Sequence, residues 1–537
     1  MKDNIIFTGR REQIKKLDSL PIINRGLIDY KKYSKFVGQS GIKNAFSVQA
    51  TRGCPYRCFY CDVHNMTPIH RRRSVDHIFN EIIFLHDSGV RKIEIIDDAF
   101  NVNIKQFIAF FKKIIESKLK INFYFQSGLR GDLLTFEAID LMVHAGVKSV
   151  NFSLESASER LQKLMRKNLN IEKFKKNVDY IVENYPTLII GMNAIHGFPT
   201  ETEEEAISTI EFIKNIKWLH FIQLHNLRIF PGSLAEQIAL ENGVTKEQIN
   251  ESLTMPYNMI PTTIHFDKNF SRKIRLSLLK DYIFNKERLS YIIPKQLQVC
   301  SKEELIYKYK SIFPTQIETL DDIFKLAKID KEDLAIEEIA DNNWGELEIN
   351  FPQQNDINKT LQSVPPLKLL LIDASQYFSD SKLAELKISE PPLGLMAILS
   401  YVNMLFGEQI QGKILKSYID YDSFDELEII LKDFKPDIIG IRTLSFFKNF
   451  FSDTVETIRS FDKDVFVVAG GPHPTIDYEN VLNENDIDVV VIGEGEVTFS
   501  EILSKMIDGR RTSRPLLVEQ LHTVKGLAFK HGCGCSL

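Results

Sequence analysis

The sequence predicts an α/β protein with two parallel sheets. One is a partial, TIM-like (β/α)6 barrel and the other a doubly wound, Rossmann-like domain, with a helical region between them. Strand-like and helix-like segments alternate six times within residues 44–230, and the same alternation resumes after residue 366. The length of 537 residues is also too great for one ordinary domain.

The predicted barrel strands are short apolar runs, each followed by a helix with one apolar face. Ser74 is expected to cap the first of these helices, which Gly89 ends, and Thr135 to cap a later one. Functional residues of parallel strands lie in the loops at their carboxyl ends, so we expect the site there. The strands are NAFSVQA (44–50), KIEII (92–96), INFYF (121–125), SVNFSL (149–154), TLIIGMNAI (187–195) and FIQLHNL (221–227).

The second alternation predicts five strands, LKLLLIDAS, GKILKSYID, PDIIGIRTL, DVFVVAGGP and DIDVVVIGEGE, in a doubly wound domain. The expected organisation of the whole chain follows from these patterns. It comprises a lead-in segment (1–43), the core barrel (44–250), a helical extension (251–345), a polar linker (346–365), the doubly wound domain (366–530) and a cysteine-containing tail (531–537).

Composition and charge exclude several classes of protein. A net charge of -5 gives no electrostatic basis for binding nucleic acid or an anionic membrane. No run of about eighteen apolar residues is present, and the N-terminus is too charged for a secretory signal. We therefore expect a cytoplasmic protein with reduced thiols, no membrane span and no nucleic-acid partner.

The loop after the first predicted strand, TRGCPYRCFYCDV, is expected to carry the chemistry of the barrel. Cys54, Cys58 and Cys61 place three thiolates within eight residues, and such a trio can bind three irons of one cubane cluster. The fourth iron then has no protein ligand and keeps the open position that a catalytic metal centre needs. A structural zinc site is the alternative, with His64 or His70 as fourth ligand.

The Cys-x3-Cys-x2-Cys spacing, with Tyr60 just before the last cysteine, resembles the signature of the radical S-adenosylmethionine (SAM) superfamily. The resemblance covers roughly residues 1–250. It implies a 4Fe–4S cluster on Cys54, Cys58 and Cys61, whose open iron chelates SAM and delivers the electron that cleaves it to a 5′-deoxyadenosyl radical. It also implies an electron donor such as flavodoxin or ferredoxin.

Other residues resemble parts of the SAM site in that superfamily. Asp97 and Asp98 match the stretch beside the SAM amino group, whose ammonium needs carboxylate or carbonyl acceptors; a helix cap is the alternative. Glu155 matches the acid that binds the ribose, and the alternative is a charge at the start of the next helix. Arg166 is expected near the SAM carboxylate or on a solvated helix face.

Residues 366–530 resemble the cobalamin-binding domain found in one large branch of the superfamily. The resemblance lies in PPLG, TLS, GGPHP and GEGE, each of which follows or caps a predicted strand, where glycines let the backbone approach a bulky cofactor. A response-regulator-like domain that binds nothing is the alternative. The expected cobalamin contacts are Pro392, Gly394, Thr443, Ser445, Gly470, Gly471, Gly493, Glu494 and Gly495.

Two features depart from that branch. The Asp-x-His-x-x-Gly loop is missing after the first strand of this domain, so no histidine is offered there as a lower axial ligand. This implies cobalt bound without a protein imidazole, or loss of cobalamin binding. The cobalamin domain also follows the radical domain instead of preceding it. The chain thus resembles a circular permutation, and we expect its two ends to lie close in space.

The combined resemblance implies a cobalamin-dependent methyltransferase that acts on an unactivated carbon of a natural-product, peptide or lipid substrate. A radical cyclisation or rearrangement with the same cofactors is a second hypothesis, and a non-catalytic iron–sulfur and cobalamin sensor is a third. No residue pattern specifies the small-molecule or peptide substrate. The tail cysteines, Cys533 and Cys535, are too close in sequence to specify a role.

Overall fold

The computed structural model describes residues 5–38, 40–254, 268–310, 317–330, 365–381, 389–511 and 518–530, together with residues 334, 349 and 351. The tail with Cys533 and Cys535, most of the predicted linker and parts of the predicted helical extension lie outside the described residues. Within the described ranges, no helix is long and apolar enough to cross a membrane.

Strands and helices are numbered along the described residues. The strands are β1 (Ile5–Phe7), β2 (Ala45–Val48), β3 (Thr51–Arg52), β4 (Arg71–Arg72), β5 (Lys92–Ile95), β6 (Asn122–Leu129), β7 (Val147–Glu155), β8 (Ile189–His196), β9 (Phe221–Asn226), β10 (Leu367–Asp373), β11 (Ile410–Lys416), β12 (Ile438–Arg442), β13 (Phe466–Gly470), β14 (Val489–Val491) and β15 (Leu527–Lys530).

The helices are α1 (Val63–Met66), α2 (Val75–Asp87), α3 (Ile104–Ser117), α4 (Phe136–His144), α5 (Glu159–Leu164), α6 (Ile171–Asn184), α7 (Glu203–Lys214), α8 (Leu234–Glu241), α9 (Lys246–Thr254), α10 (Lys268–Leu278), α11 (Lys286–Gln296), α12 (Lys302–Lys310), α13 (Leu320–Ala327), α14 (Leu393–Phe406), α15 (Phe424–Phe434), α16 (Lys448–Phe461), α17 (Pro472–Ile476), α18 (Tyr478–Glu484) and α19 (Gly495–Arg511).

Residue contacts divide the chain into two compact units. The barrel unit contains the described residues within Ser34–His64 and Ile69–Asn350. The doubly wound unit contains those within Met1–Tyr33, Asn65–Pro68 and Phe351–Leu537. The N-terminal residues up to Tyr33 are thus grouped with the C-terminal part of the chain and not with the barrel.

The barrel unit holds a six-stranded parallel sheet in the order β2-β5-β6-β7-β8-β9, which confirms the predicted alternation. Two predicted helix starts are also confirmed, because Ser74 accepts a hydrogen bond from the His77 N–H and Thr135 accepts one from the Ala138 N–H. The carboxyl ends of all six strands share one edge, and the cysteine loop begins just after β2.

The doubly wound unit holds a seven-stranded sheet in the order β1-β15-β14-β13-β12-β10-β11. The five predicted strands, β10 to β14, are parallel, and their order is that of flavodoxin-like folds. One buried apolar cluster with residues of α14 and α19 covers one face, and a second with residues of α15 and α16 covers the other. The doubly wound architecture is therefore confirmed.

Two short strands that the sequence did not predict extend this sheet. β15 pairs antiparallel with β14, and β1 pairs antiparallel with β15, with Ile5 opposite Lys530. Thr8 strengthens the join, because its Oγ1 donates to the Leu527 carbonyl and accepts from the Leu527 N–H. The expectation that the two ends of the chain lie close together is confirmed for the described residues.

Candidate functional sites

The cysteine loop is fixed to the barrel by its aromatic residues. Phe59 is buried, its N–H donates to the Met165 carbonyl at 3.1 Å, and its own carbonyl accepts from the Ala235 N–H at 3.2 Å. Tyr60 is half-buried and packs edge-on against Phe198 at a centroid distance of 5.6 Å. These contacts hold the backbone of the loop and leave Cys58 and Cys61, on either side of the two aromatic residues, to face a ligand.

Cys54, Cys58 and Cys61 are all free, half-exposed thiols. Burial is the largest influence on them and raises the pKa of each, that of Cys61 to about 11. Each thiol also interacts electrostatically with the other two, which raises their pKa values further. Because thiolates bind iron, assembly of a metal centre on this trio has to displace the thiol protons.

Two cations that the sequence analysis did not single out lie beside the trio. The Lys167 ammonium is the main influence that lowers the pKa of Cys58 against burial, and the Arg130 guanidinium acts in the same direction on Cys58 and Cys54. Arg130 stacks over the ring of Tyr56 at 4.1 Å and forms two bonds to Asp132, at 3.0 and 2.7 Å.

Three mutually interacting thiols with cations beside them fit an anionic iron–sulfur cluster. Within the part of the chain that the structure describes, no three His, Cys, Asp or Glu side chains come close enough to bind one metal ion. A cubane cluster does not require that closeness, because its three thiolates bind separate irons at different corners.

The neighbouring residues Asp97 and Asp98, after β5, have different surroundings. Asp97 is buried and accepts a hydrogen bond from the Ala50 N–H at 2.7 Å, which ties β5 to the start of the cysteine loop. Burial raises its pKa to about 7. Asp98 is exposed and interacts electrostatically with Cys54 and Cys61. Of the pair, Asp98 is the carboxylate that is open to a ligand beside the thiols.

Glu155 lies at the carboxyl end of β7, and its side chain is buried. Its Oε1 accepts a bond from the Lys167 Nζ at 2.8 Å. The Glu155 charge also raises the pKa of Tyr60, after burial, so the two residues are close. Arg166 is exposed, whereas its neighbour Lys167 is buried. The basic residue that contacts the interior is therefore Lys167, which no spacing in the sequence distinguishes from Arg166.

In the doubly wound unit, the residues singled out in the sequence follow the carboxyl ends of its strands. Pro392 precedes α14, and Thr443 is buried with its hydroxyl bonded to the Ala374 carbonyl at 2.9 Å. Ser445 begins a turn after β12, and Gly470 ends β13. These residues come together at one edge, together with Gly471, Gly493, Glu494 and Gly495, which lead into α17 and α19.

The glycines at this edge differ in the space beside them. A Cβ added at Gly394 would have nothing within 4 Å. Gly471 and Gly493 have φ angles of 95° and 86°, which favour glycine. A Cβ at Gly495 would meet the Ile398 side chain at 2.9 Å, so this glycine serves packing. The open space beside Gly394 fits the broad, amide-rimmed ring of cobalamin.

A buried ionic network occupies the strand ends at the switch point between β10 and β12. Asp373 pairs with Lys416 at 3.0 Å and with Arg442 at 2.9 Å, and these two cations hold the pKa of its carboxyl far below the usual range against burial. The loop that follows β10 contains no histidine in its sequence. His473, after β13, is buried, and burial lowers its pKa to about 4.

Comparison with known proteins identifies two domains. A family model of the radical SAM superfamily matches residues 48–213, and a model of the B12-binding domain matches residues 383–503. Both domains expected from the resemblance are therefore confirmed, with the B12-binding domain on the C-terminal side. A radical SAM domain implies a 4Fe–4S cluster and SAM, and a B12-binding domain implies cobalamin.

Similar proteins match parts of the chain. An uncharacterized methyltransferase from Pyrococcus horikoshii is 28% identical over 280 residues, 51% of this chain and 57% of that protein. A tRNA-2-methylthio-N(6)-dimethylallyladenosine synthase from Buchnera aphidicola is 27% identical over 255 residues, 45% of this chain and 55% of that protein. The chain thus spans little more than half the length of these curated relatives.

Among solved structures, the radical SAM methyltransferase TsrM from Kitasatospora setae, with cobalamin and a [4Fe-4S] cluster bound, is 19% identical to this chain. The match has a TM-score of 0.33 and covers 37% of this chain and 40% of that chain.

Proposed function

Since the chain carries a radical SAM domain and a B12-binding domain, we propose that it is a cobalamin-dependent methyltransferase acting on an unactivated carbon. The observation that carries the proposal is the trio of half-exposed thiols beside Lys167 and Arg130, on the same chain as a B12-binding domain. The similarity to a curated methyltransferase supports methyl transfer as the outcome.

In this proposal Cys54, Cys58 and Cys61 bind three irons, and the cluster, when bound, supplies the electron that cleaves SAM. Lys167 and Arg130 stabilise the negative charge that the three thiolates bring together. The aromatic contacts of Phe59 and Tyr60 keep the loop rigid, which orients the thiolates.

We assign the carboxylates near this loop to SAM. Asp98 accepts from the ammonium of the methionyl group, which its exposed position beside Cys54 and Cys61 supports. Glu155 accepts from the ribose hydroxyls with the oxygen that is not bonded to Lys167. Arg166, which is exposed, offers a cation for the SAM carboxylate. Asp97 positions the loop through its bond to the Ala50 N–H.

Each methylation would consume two SAM molecules and two electrons. It would yield the methylated product, S-adenosylhomocysteine, 5′-deoxyadenosine and methionine, and the hydrogen removed from the substrate carbon ends on 5′-deoxyadenosine. The electrons come from a donor such as flavodoxin or ferredoxin. We propose a small molecule or a peptide as the substrate, and the small molecules include natural products and lipids.

The test is anaerobic reconstitution with iron, sulfide and cobalamin, followed by reduction in the presence of SAM and chromatography of the nucleosides. We expect 5′-deoxyadenosine and S-adenosylhomocysteine, and we expect omission of cobalamin to abolish only the latter. Cys58→Ala should abolish 5′-deoxyadenosine. Formation of 5′-deoxyadenosine alone in the complete mixture would instead support a radical rearrangement, and a purified protein that holds zinc would refute the proposal.

A further inference from the structure

The N-terminal arm, residues 10–14, lies at the carboxyl edge of the parallel strands of the doubly wound unit because of the strand order. β1 runs antiparallel to β15, and β15 runs antiparallel to β14, so β1 and β14 are parallel. The chain that leaves β1 after Phe7 therefore emerges at the same edge as the chain that leaves β14 after Val491. That edge carries Gly493 and Glu494.

The arm is anchored there by several bonds. The Gly526 N–H donates to the Gly9 carbonyl at 2.8 Å, and the Lys525 ammonium donates to the Thr8 carbonyl at 2.9 Å. Arg11 is bonded to Thr498 and Glu501 of α19. The side chain of Arg10 is exposed and donates to the Asn65 carbonyl at 3.2 Å. The position of the arm is thus defined by the sheet and by α19.

A cavity of about 50 Å³ lies between the arm and the end of β14. Its lining mixes apolar side chains, such as Ile14, Ile492 and Val497, with polar ones. The polar side chains are balanced in charge and include Arg10, Gln13, Asn65, Thr475 and Glu494. Since about 10–15 Å³ of such space holds one water, the cavity has room for one small polar group. It is too small for a nucleotide. A mixture of donors and acceptors in one small cavity suits a neutral carboxamide better than an anion.

We propose that the arm, residues 10–14, is part of the cobalamin site and that its cavity binds a carboxamide side chain of the corrin rim. The inference rests on the proposed function, which supplies cobalamin as the ligand. The corrin ring carries such amides around its edge. Arg10 and Gln13 then act as binding residues contributed by the opposite end of the chain from the B12-binding domain.

The experiment measures cobalamin affinity by absorbance titration of the full-length protein, without SAM turnover. Arg10→Ala and Gln13→Ala are compared with Lys15→Ala, which removes a cation from an 82% exposed position immediately after the arm and outside the cavity lining. We expect each of the two cavity variants to raise the Kd for cobalamin about tenfold, because each loses one hydrogen bond to an amide of the corrin rim. Lys15→Ala should bind like the wild type.

The same titration with cobinamide, which keeps the corrin amides but lacks the nucleotide, tests the amide assignment. Equal losses for cobalamin and cobinamide support it, and a loss confined to cobalamin overturns it in favour of the nucleotide. Unchanged Kd values in both cavity variants would overturn the role of the arm while leaving the proposed function intact. A wild-type protein that binds no cobalamin would overturn the proposed function and this inference together.

Discussion

At the scale of single residues, the Glu155–Lys167 ion pair of the barrel site combines burial with a strained backbone. Both side chains are buried, and Glu155 adopts a φ of 65°, in the left-handed region that favours glycine. A non-glycine residue holds this conformation only where its surroundings enforce it, and such strain concentrates at functional sites. The ion pair is therefore what keeps this carboxylate in place beside the cysteine loop.

Replacing Lys167 with Met should lower the free energy of unfolding by about 3–5 kcal/mol, because it leaves the Glu155 carboxylate buried without its partner. Urea unfolding of the cluster-free protein, followed by fluorescence of the buried Trp218 in the barrel unit, measures this loss. Arg166→Met, one residue away and exposed, should change stability by less than about 0.5 kcal/mol. The double variant Glu155→Gln/Lys167→Met should recover part of the loss; equal losses in the single and double variants would contradict the pairing.

His220, a buried histidine of the barrel unit, should make the stability of that unit fall in acid. Its ring nitrogen Nδ1 accepts from the Ile190 N–H at 3.1 Å, and burial, reinforced by Arg288, lowers its pKa to about 3. The folded state therefore keeps the imidazole neutral while the unfolded chain takes up a proton below pH 6.5. The contribution of the neutral His220 ring to the free energy of unfolding is fully present above that pH. It is lost as the pH falls from about 6.5 towards 3.

His220→Gln should flatten this dependence, since the glutamine carbonyl can still accept from Ile190 but does not titrate. Urea unfolding at pH 7 and pH 5 measures the slope, which one group can steepen by about 1.4 kcal/mol per pH unit. His144→Gln, on an exposed histidine of α4, is the control and should leave the slope unchanged. If the two variants gave the same slope, the assignment to His220 would be wrong.

At the scale of elements, two glycines that follow strands of the doubly wound unit have opposite surroundings. A Cβ at Gly471 would meet the Arg442 side chain at 2.8 Å, and its φ of 95° disfavours any other residue. We expect Gly471→Ala to destabilise this unit by about 1–3 kcal/mol. Gly394→Ala, in the first turn of α14, should leave stability equal or raise it by about 0.5–1 kcal/mol.

The cobalamin affinity of these variants tests the site itself. If a corrin ring fills the space beside Gly394, Gly394→Ala should weaken binding although the fold is intact. Thermal unfolding followed by circular dichroism gives the stability, and absorbance titration gives the affinity. Unchanged affinity in Gly394→Ala would show that the open space beside α14 is not used by the cofactor.

The sequence predicted the long elements well and the short ones poorly. β10 and β12 are buried apolar runs bounded by turn residues, so pattern alone identified them. β1 has three residues and β15 four, too few for a period of two to stand out. They form strands because the free edge of β14 offers them backbone partners. That partnership joins opposite ends of the chain and is not encoded in any local pattern.

At the scale of the whole molecule, the cysteine trio was predictable because its ligands are adjacent in sequence. Arg130 and Lys167 were not, because Arg130 follows β6 and Lys167 follows α5, both far along the chain from Cys58. For the doubly wound unit, a clearer signal existed. Asp373 and Arg442 each end a buried strand, and charged residues at such positions meet at the switch point of the sheet.

Because the N-terminal residues are grouped with the doubly wound unit, we expect β1 to unfold together with that unit and not with the barrel unit. Ile93 lies in β5 of the barrel unit and Ile438 in β12 of the doubly wound unit, and both are fully buried in central parallel strands. Substituting either with Ala should cost its unit about 2–5 kcal/mol through the lost contacts and the remaining cavity. The two variants are therefore matched in chemistry and differ in location.

Hydrogen exchange measured by mass spectrometry reads the outcome for each strand. Ile438→Ala should accelerate exchange of β1 and β14 by about 30-fold or more, the factor that corresponds to 2 kcal/mol, and leave β2 unchanged. Ile93→Ala should do the opposite. We expect β1 to follow β14 because, among the described residues, β1 pairs with β15, which in turn pairs with β14. Acceleration of β1 by Ile93→Ala would mean that the N-terminal strand shares its stability with the barrel, and the cobalamin role of the arm that follows it would lose its structural basis.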